Sequence, residues 1–198
     1  MPDLLFLEKT HTYLLSGRPV PCVSDLCRFL SREIYSQTPP WMLEQAAERG
    51  TAVHAATEEL DKTGAASVEE CYAPYLLAYA AFLRDHTPQW LLTEKPLYCA
   101  EDDFAGTIDR YGLLSGRNTL VDIKTTYTVH KPLCQASLGL YRRLLEANGY
   151  PVDHQLILHL RKDGTYKLHP FPSYTPLPDA LITLHSACKK RRKENKHV

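Results

Sequence analysis

The stretch FAGTIDRYGLLSGRNTLVDIK, residues 104–124, decides the fold of this chain. Two runs of alternating apolar and polar residues flank a Ser-Gly pair at 115–116, which is typical of the tight turn of a β-hairpin. If that pair forms the turn, Asp109 lies directly opposite Asp122 on the neighbouring strand. A turn shifted by one residue instead places Asp109 opposite Lys124. The stretch therefore predicts an antiparallel ribbon with charged side chains paired across it.

In either register the ribbon has a charged face and an apolar face. Side chains alternate along a strand, so Asp122 and Lys124 point to the same side as Asp109, and Ile123 points to the other. Neighbouring carboxylates repel each other unless a cation compensates them, and a hard divalent cation takes oxygen ligands from such groups. We therefore predict a metal site; the alternative interpretation is a solvated cluster of surface charges. The apolar face is expected to pack on a helix through Phe104, Ile108, Leu114, Val121 and Ile123.

The order of predicted elements along the chain is that of an α/β protein. Two alternating runs, 4–15 and 18–23, predict an N-terminal β-hairpin with its turn at 16–17, and Ser24 is expected to cap the helix that follows. The remaining elements are helices over 25–34, 41–62, 68–86 and 131–148 and from 178 onward, and strands over 90–99, 104–114, 119–126, 155–161 and 165–169. This order predicts a central mixed β-sheet flanked by α-helices.

Length and composition restrict the class of protein. We expect one domain, 1–198, made of a hairpin and helix (4–34), a core (41–174) and a C-terminal helix with a basic tail (178–198). Lys plus Arg and Asp plus Glu number 23 each, which argues against bulk coating of nucleic acid but leaves room for a local basic groove. No apolar run approaches ~18 residues and the N-terminus lacks a signal-peptide pattern, so we expect no membrane association and a cytoplasmic protein. Six scattered cysteines without a C-x-x-C pair predict reduced thiols.

A second polar motif lies in the sequence GTAVHAATE, residues 50–58, within a predicted helix. His54 and Glu58 are four residues apart and therefore lie on one face of that helix. Only small residues separate them, and Gly50 costs a helix about 1 kcal/mol relative to alanine, so we expect close backbone packing here. A histidine and a glutamate at this spacing also form ordinary surface pairs, and the second histidine of a zinc-protease motif is missing.

Taken together and in this order, three motifs resemble those of the PD-(D/E)xK nuclease superfamily. They are Gly-x3-His-x3-Glu at 50–58, Gly-Thr-Ile-Asp at 106–109 and Asp-Ile-Lys at 122–124, and they are similar to the RecB-like branch, which includes phage exonucleases and CRISPR-associated nucleases. Residues 5–25 also resemble the N-terminal hairpin of phage-encoded members, and the resemblance covers roughly residues 4–150. It implies a restriction-endonuclease-like core and a nuclease domain that binds Mg²⁺ or Mn²⁺.

The resemblance also implies a role for each motif residue. The metal ligands would be His54, Asp109, Asp122 and the backbone carbonyl of Ile123. Lys124 would act with the two aspartates in catalysis by positioning or activating the attacking water, and Glu58 would be an outer ligand or support a second ion. An imidazole ligand favours Mn²⁺. Because only Cys188 lies near the C-terminus, we expect no iron–sulfur cluster of the kind that some relatives contain.

Residues after the third motif are candidates for binding the substrate. The family's Gln-x3-Tyr motif is incomplete, because Tyr141 is present but Ser137 stands four residues before it, and Gln135 is about 240° round the helix from Tyr141. Side chains that could hold phosphates or stack on bases are Tyr127, Lys131, Arg142 and Arg143. The basic run 189–193 would grip the nucleic-acid backbone or merely end a helix, and Trp41 is expected in the core.

These residues together predict a metal-dependent DNA nuclease, specifically an exonuclease that hydrolyses phosphodiester bonds with a metal-activated water. The sequence contains no Walker A loop, so the protein would act at single- or double-stranded DNA ends unaided or with a helicase or annealing protein. The expected setting is the cytoplasm of a bacterium or a phage-infected cell. The alternatives are a structure- or sequence-specific endonuclease on the same fold, and a catalytically inactive nucleic-acid-binding or adaptor module. The oligomeric state is left open.

Overall fold

The chain folds around a five-stranded sheet, and a smaller sheet is formed by its N-terminal strands. The computed structural model describes residues 3–7, 10–173 and 176–194, with side chains described up to residue 188 in the last helix. The smaller sheet is antiparallel, and its strands are Leu4–Leu7 (β1), Thr12–Leu15 (β2) and Arg18–Val20 (β3). The predicted turn at 16–17 is confirmed, because the pairing of β2 with β3 closes there; the predicted first run is two strands rather than one.

The central sheet is mixed, as the sequence predicts. Its strands, in spatial order, are Gln89–Cys99 (β4), Phe104–Leu114 (β5), Arg117–Lys124 (β6), His154–Leu160 (β7) and Tyr166–Phe171 (β8). Neighbours are antiparallel except β6 and β7, which are parallel and need a crossover, supplied by helix Lys131–Ala147. The α/β class with a mixed sheet flanked by helices is thereby confirmed.

Two of the helices differ from the predicted elements. The helices are Val23–Leu26 (α1), Arg28–Tyr35 (α2), Pro40–Thr63 (α3), Ala73–His86 (α4), Lys131–Ala147 (α5) and Leu177–Glu194 (α6), with a 3₁₀ turn at Glu70–Tyr72 before α4. The helix predicted from residue 68 begins only after that turn. The single helix predicted over 25–34 is two, and Cys22 rather than Ser24 is the first N-cap. The reason is that the Asp25 carboxylate accepts a hydrogen bond from the Cys22 backbone N–H at 3.0 Å.

The backbone is in open space at one glycine, Gly50, and closely packed at another, Gly106. α3 runs through Gly50 without interruption, and a Cβ built there would meet no atom within 4 Å, so the close approach expected at Gly50 is wrong. At Gly106 in β5, a Cβ would lie 2.8 Å from Cγ2 of Val23 and 2.9 Å from Cδ1 of Leu144. Glycine at position 106 therefore lets α1 and α5 pack directly on β5.

The two faces of the central sheet bury separate apolar clusters. Phe104 and Ile108 pack in the cluster formed with α1, α5 and α6. The side chains of Leu114, Val121 and Ile123 pack in the cluster formed with α3 and α4. The expectation that these five residues share one face is wrong, because β5 loses its strict alternation near the middle of its length.

Among the described residues, no helix has the length and apolar character needed to cross a membrane. All six cysteines are free, four of them buried (Cys22, Cys27, Cys99 and Cys134) and two exposed (Cys71 and Cys188).

The start of α3 and the end of α6 contain two further residues or runs for which the sequence made a prediction. Trp41 is 59% exposed in the first turn of α3, so its expected place in the core is wrong. α3 begins at the surface there, and the residues around Trp41 are exposed as well. The basic run 189–193 belongs to α6, and its side chains lie outside the described residues.

Candidate metal centre

The alternation of side chains is interrupted at the same level on β4 and β5. On β4, Leu92 and Leu97 contact the same apolar cluster although they are five residues apart, an odd separation that regular alternation forbids. On β5, Ile108 and Tyr111 share that cluster at a separation of three. The alternation of side chains between the two faces of the sheet is therefore broken between Leu92 and Leu97 on β4, and between Ile108 and Tyr111 on β5.

Glu94 and Asp109 occupy these two interruptions. The regular strand pairing skips both residues, and Glu94 has a φ of +42°, which residues other than glycine rarely adopt. Such a conformation costs of the order of 1–3 kcal/mol and persists only where the surrounding contacts hold it. Because the two strands are interrupted here, the carboxylates of Glu94 and Asp109 both reach His54 on α3.

His54 joins the helix to the sheet through its two ring nitrogens. Nδ1 lies 3.0 Å from Oε1 of Glu94 and 3.7 Å from Oδ1 of Asp109, and Nε2 lies 3.2 Å from the carbonyl oxygen of Ile123. The other oxygen of Asp109 accepts a hydrogen bond from the backbone N–H of Ile123 at 2.7 Å. Ligand atoms of His54, Glu94 and Asp109 all lie within 4.8 Å of one another. The fold thus brings three of the predicted ligands together and adds Glu94.

The pKa values of His54 and Asp109 in this cluster are both raised, but for different reasons. Burial by itself lowers the pKa of His54, but the charges of Asp109 and Glu94 outweigh it and raise the pKa to about 9. Burial raises the pKa of Asp109, and the charge of His54 acts against that shift. The imidazole therefore carries a positive charge at neutral pH and compensates part of the negative charge of the carboxylates.

Asp122 and Lys124 form an ion pair on β6, next to this cluster. The pairing of β5 with β6 confirms the turn at 115–116, and its regular part ends at Arg110 opposite Val121, one residue short of Asp109 and Asp122. The Lys124 ammonium lies 2.5 Å from Oδ2 of Asp122, whose side chain is buried, whereas that of Lys124 is 31% exposed. Burial raises the pKa of Asp122, and the charge of Lys124 opposes the shift. Burial lowers the pKa of Lys124, but the charges of the two aspartates raise it overall, so Lys124 is a cation.

Tyrosines from α5 and the smaller sheet border the same region. Tyr141 packs over Gly106, with its Cε1 3.2 Å from the position that a Cβ would take. Burial, followed by the charges of the neighbouring aspartates, holds the pKa of Tyr141 well above its ordinary value. The hydroxyl of Tyr13 on β2 lies 2.7 Å from Oγ1 of Thr107 on β5. The predicted Tyr141 therefore does lie beside the aspartates.

Arg110 is a fully buried cation behind the cluster, and the sequence analysis assigned it no role. Its guanidinium donates hydrogen bonds to Asp61 Oδ2 at 2.6 Å, the backbone oxygen of Asp109 at 2.6 Å, Glu94 Oε1 at 2.9 Å, Thr57 Oγ1 at 3.0 Å and the Tyr79 hydroxyl at 3.1 Å. These acceptors belong to α3, α4, β4 and β5. Arg110 therefore ties together the elements that carry His54 and Glu94.

Glu94 is the second residue that the sequence analysis missed. It is the one acidic residue in the predicted strand 90–99, and a carboxylate isolated in a mostly apolar run was the available signal. The corresponding signal for Arg110 was a charged residue directly after Asp109 in a strand with apolar neighbours. Neither signal says what the side chain meets, because the partners come from other elements.

The other predicted site residues make their contacts elsewhere. Glu58 pairs with Lys62 at 2.5 Å on α3, and Arg142 pairs with Glu146 at 2.7 Å on α5. The remaining predicted residues are exposed or half-buried: Tyr127, Lys131 and Gln135. Within the described part of the chain, the hydrogen bonds and ion pairs of these side chains do not reach the cluster.

The donor set of the cluster suits a divalent cation such as Mg²⁺ or Mn²⁺. Carboxylate and carbonyl oxygens are hard ligands, and one imidazole shifts the preference towards Mn²⁺. Neighbouring ligand atoms around a six-coordinate ion with bonds of about 2.1 Å lie about 3 Å apart. The observed separation of His54 Nε2 from the Ile123 carbonyl oxygen is 3.2 Å, so the spacing of this pair of ligand atoms fits such an ion.

Comparisons with known proteins do not assign a family. The chain matches no protein-family model and, at a significant level, no curated protein. The chemistry of the site is therefore the basis on which a function is proposed.

Proposed function

We propose that this chain is a metal-dependent nuclease of the PD-(D/E)xK type, with a restriction-endonuclease-like core, that hydrolyses phosphodiester bonds in DNA. One observation supports this most: His54 on α3 contacts both Asp109 and the backbone of Ile123. The Asp122–Lys124 ion pair adjoins them on β6. A cluster of surface charges would be solvated, whereas Asp109 and Asp122 are only 8% and 1% exposed.

The proposed ligands come from one helix and two strands. They are Nε2 of His54, the carboxylates of Asp109 and Asp122, and the backbone carbonyl of Ile123. A bound Mg²⁺ or Mn²⁺ would lower the pKa of a water and stabilise the negative charge that develops on the scissile phosphate. Glu58 would support a second ion only after its pair with Lys62 opens.

Glu94 would orient the histidine rather than bind the ion. Its Oε1 lies within hydrogen-bond distance of Nδ1 of His54 and accepts a hydrogen bond from Arg110, so Nε2 is left facing the Ile123 carbonyl. A carboxylate on the far nitrogen of a metal-binding histidine fixes both the ring orientation and the tautomer. Arg110, which is fully buried, holds Glu94 in turn.

Lys124 would position an anion or a water at the centre. Its ammonium has three donors, of which one faces Asp122, and its side chain is partly open to solvent. It can therefore hold the attacking water or a phosphate oxygen while it keeps its ion pair. The hydroxyl of Tyr141 would border the same space from α5.

The remaining parts of the proposal follow from the family resemblance. The chain would be a single nuclease domain, 1–198, acting as an exonuclease on single- or double-stranded DNA ends. It would work unaided or with a helicase or annealing protein, in the cytoplasm of a bacterium or a phage-infected cell. An endonuclease or an inactive nucleic-acid-binding module on the same fold would differ from it in the products made from linear and circular DNA.

The test is degradation of labelled DNA by the purified chain in Mn²⁺, Mg²⁺ or EDTA. The substrates are 5′- and 3′-labelled linear single strands and duplexes, with circular forms of each. We expect divalent-dependent loss of linear DNA with circles spared, whereas cleavage of circles would indicate an endonuclease. Asp122→Asn should abolish the activity, and Asp163→Asn, in an exposed turn, is its matched control. A wild-type chain that leaves every substrate intact with both ions would contradict the proposal.

A further inference from the structure

A row of basic side chains crosses the central sheet next to Lys124. Lys124 on β6 pairs in register with His159 on β7, and His159 pairs with Lys167 on β8. Neighbouring strands lie about 4.8 Å apart, so the row extends about 10 Å from Lys124. His169 lies on the same face of β8 as Lys167, with its ring centroid 5.8 Å from that of His159.

The surroundings of His169 identify the other members of this group. Burial lowers the pKa of His169, and nearby positive charges lower it further: Lys167, His159, Arg161 and Lys131. His159 is directed inward, because its Nε2 lies 2.7 Å from the carbonyl oxygen of Thr126. The other four residues, Lys131, Arg161, Lys167 and His169, are here called the basic patch.

The basic patch lacks carboxylate partners. Within the described residues, Lys131, Arg161 and Lys167 form no ion pair, whereas most other basic side chains do, among them Arg18, Lys62, Arg84, Arg110, Arg142 and Arg143. The carboxylate of Asp163, in the adjoining turn, accepts hydrogen bonds from the N–H and the hydroxyl of Thr165. In a chain of zero net charge, this concentrates positive potential at one end of the sheet.

An exposed aromatic side chain lies in the loop beside the patch. Tyr127 is 100% exposed and follows Thr126, the residue whose carbonyl contacts His159. A tyrosine in this position buries no surface of its own in the fold. Its ring is free to stack on a base, and only a base that is not already stacked in a duplex can accept it.

We propose that Tyr127 and the basic patch bind a single strand of nucleic acid, whose backbone runs from Lys124 across β6, β7 and β8. The direction of the strand rests on the proposed function, which places the scissile phosphate at Lys124. A row of about 10 Å is long enough to contact about two or three successive phosphates of the strand. The cations recognise phosphates without regard to sequence, and Tyr127 selects single strands over duplexes.

The test measures binding of a fluorescent oligothymidine and of a duplex of the same length by anisotropy, in EDTA and at several salt concentrations. The variant Lys131→Gln/Lys167→Gln is compared with Arg84→Gln/Arg117→Gln, which removes two exposed cations outside the patch. We expect at least tenfold weaker binding of oligothymidine by the patch variant. The slope of log affinity against log salt should fall by about 1.4, or about 0.7 for each lost phosphate contact. Tyr127→Ala should weaken binding at least fivefold and leave that slope unchanged.

Each outcome bears on a separate statement. Equal affinities and slopes for the two double variants would overturn the patch as a binding surface, and equal losses on duplex and single strand would overturn the preference for single strands. Hydrolysis of the same oligothymidine by the wild-type chain in Mn²⁺ is measured separately. A chain that binds through the patch and cuts nothing would refute the proposed function alone. If instead the chain cuts DNA and the patch variant binds like its control, only the patch proposal fails.

Discussion

The candidate metal centre and the basic patch adjoin the same lysine but carry their charges differently. In the centre, Asp109, Asp122 and Arg110 are nearly fully buried, and each has an oppositely charged partner within 4 Å. In the patch, the lysines are exposed and have no carboxylate partner among the described residues. Buried charges depend on one geometry, so removing one leaves its partner uncompensated. Exposed charges act through solvent and should respond to salt.

The largest effect of any substitution is expected on the rate of DNA hydrolysis, when Asp122 or Lys124 in the candidate metal centre is replaced. Asp122→Ala and Lys124→Ala should each lower the rate of DNA hydrolysis by at least about 10³-fold, because each removes a group that would act at the reacting phosphate. The rate is measured on labelled linear DNA in Mn²⁺, with circular dichroism to verify the fold. Glu58→Ala, which loses only the pair with Lys62, should lower the rate less. Wild-type rates in both central variants would show that their roles are wrongly assigned.

The next largest effect is expected on the stability of the fold, when the buried cation Arg110 is replaced. Arg110→Met keeps most of the side-chain volume but leaves Asp61 and Glu94 without their cation, so the free energy of unfolding should fall by about 3–5 kcal/mol. Urea unfolding measures the change. The control is Arg84→Met, which breaks an exposed pair with Asp85 and should have no measurable effect. Similar losses in the two variants would mean that the buried network does not hold the fold together.

A smaller effect on metal binding is expected from Glu94. Glu94→Ala should weaken Mn²⁺ binding about 10–100-fold, since His54 loses the acceptor that orients its ring. Glu94→Gln keeps an oxygen acceptor at that place and should lose less. Binding is followed by the electron paramagnetic resonance of free Mn²⁺.

The tautomer of the neutral His54 ring, measured by ¹⁵N NMR above its pKa of about 9, separates this role from a general loss of stability. In Glu94→Ala the two tautomers should become mixed, whereas a variant that is merely less stable would keep the wild-type ratio. Unchanged Mn²⁺ affinity in Glu94→Ala would remove Glu94 from the proposed site.

The smallest effect concerns packing beneath the centre. Gly106→Ala would force a Cβ to within 3 Å of Val23 and Leu144, so the free energy of unfolding should fall by about 1–3 kcal/mol. Gly50→Ala, in open space on α3, should instead be neutral or stabilise the chain by up to about 1 kcal/mol. Urea unfolding of Gly106→Ala and Gly50→Ala measures the sign of the change in the free energy of unfolding for each variant. A loss at position 50 equal to that at 106 would mean that the tight packing on β5 is not specific.

The parts of the fold that follow from local patterns were predictable. The hairpin around residues 115–116 follows from alternation and a Ser-Gly pair, and α5 follows from Pro132 at its start and Gly149 after its end. The start of α1 could not be predicted from the sequence, because Cys22 and Ser24 both precede a helical run and either could cap it. Which of them caps it depends on where the Asp25 carboxylate points.

The candidate site was predictable in its residue types but not in its connections. His54, Asp109 and Asp122 could be picked out because they occur in three motifs whose order along the chain resembles that of a known nuclease superfamily. The partnership of Glu94 with Arg110 joins residues from different strands and depends on an interruption of both strands at one level. Neither strand's own sequence shows that interruption.

The sequence by itself determined where most of the strands, turns and helices lie, because those depend on neighbours within a few residues. It also determined which side chains could bind a cation. The tertiary structure alone decided which face each side chain of β5 occupies, that Glu94 stands behind His54, and that Trp41 and the lysines of the basic patch are exposed. The reason is that burial and charge pairing depend on contacts between elements distant in the chain, and no local period encodes those contacts.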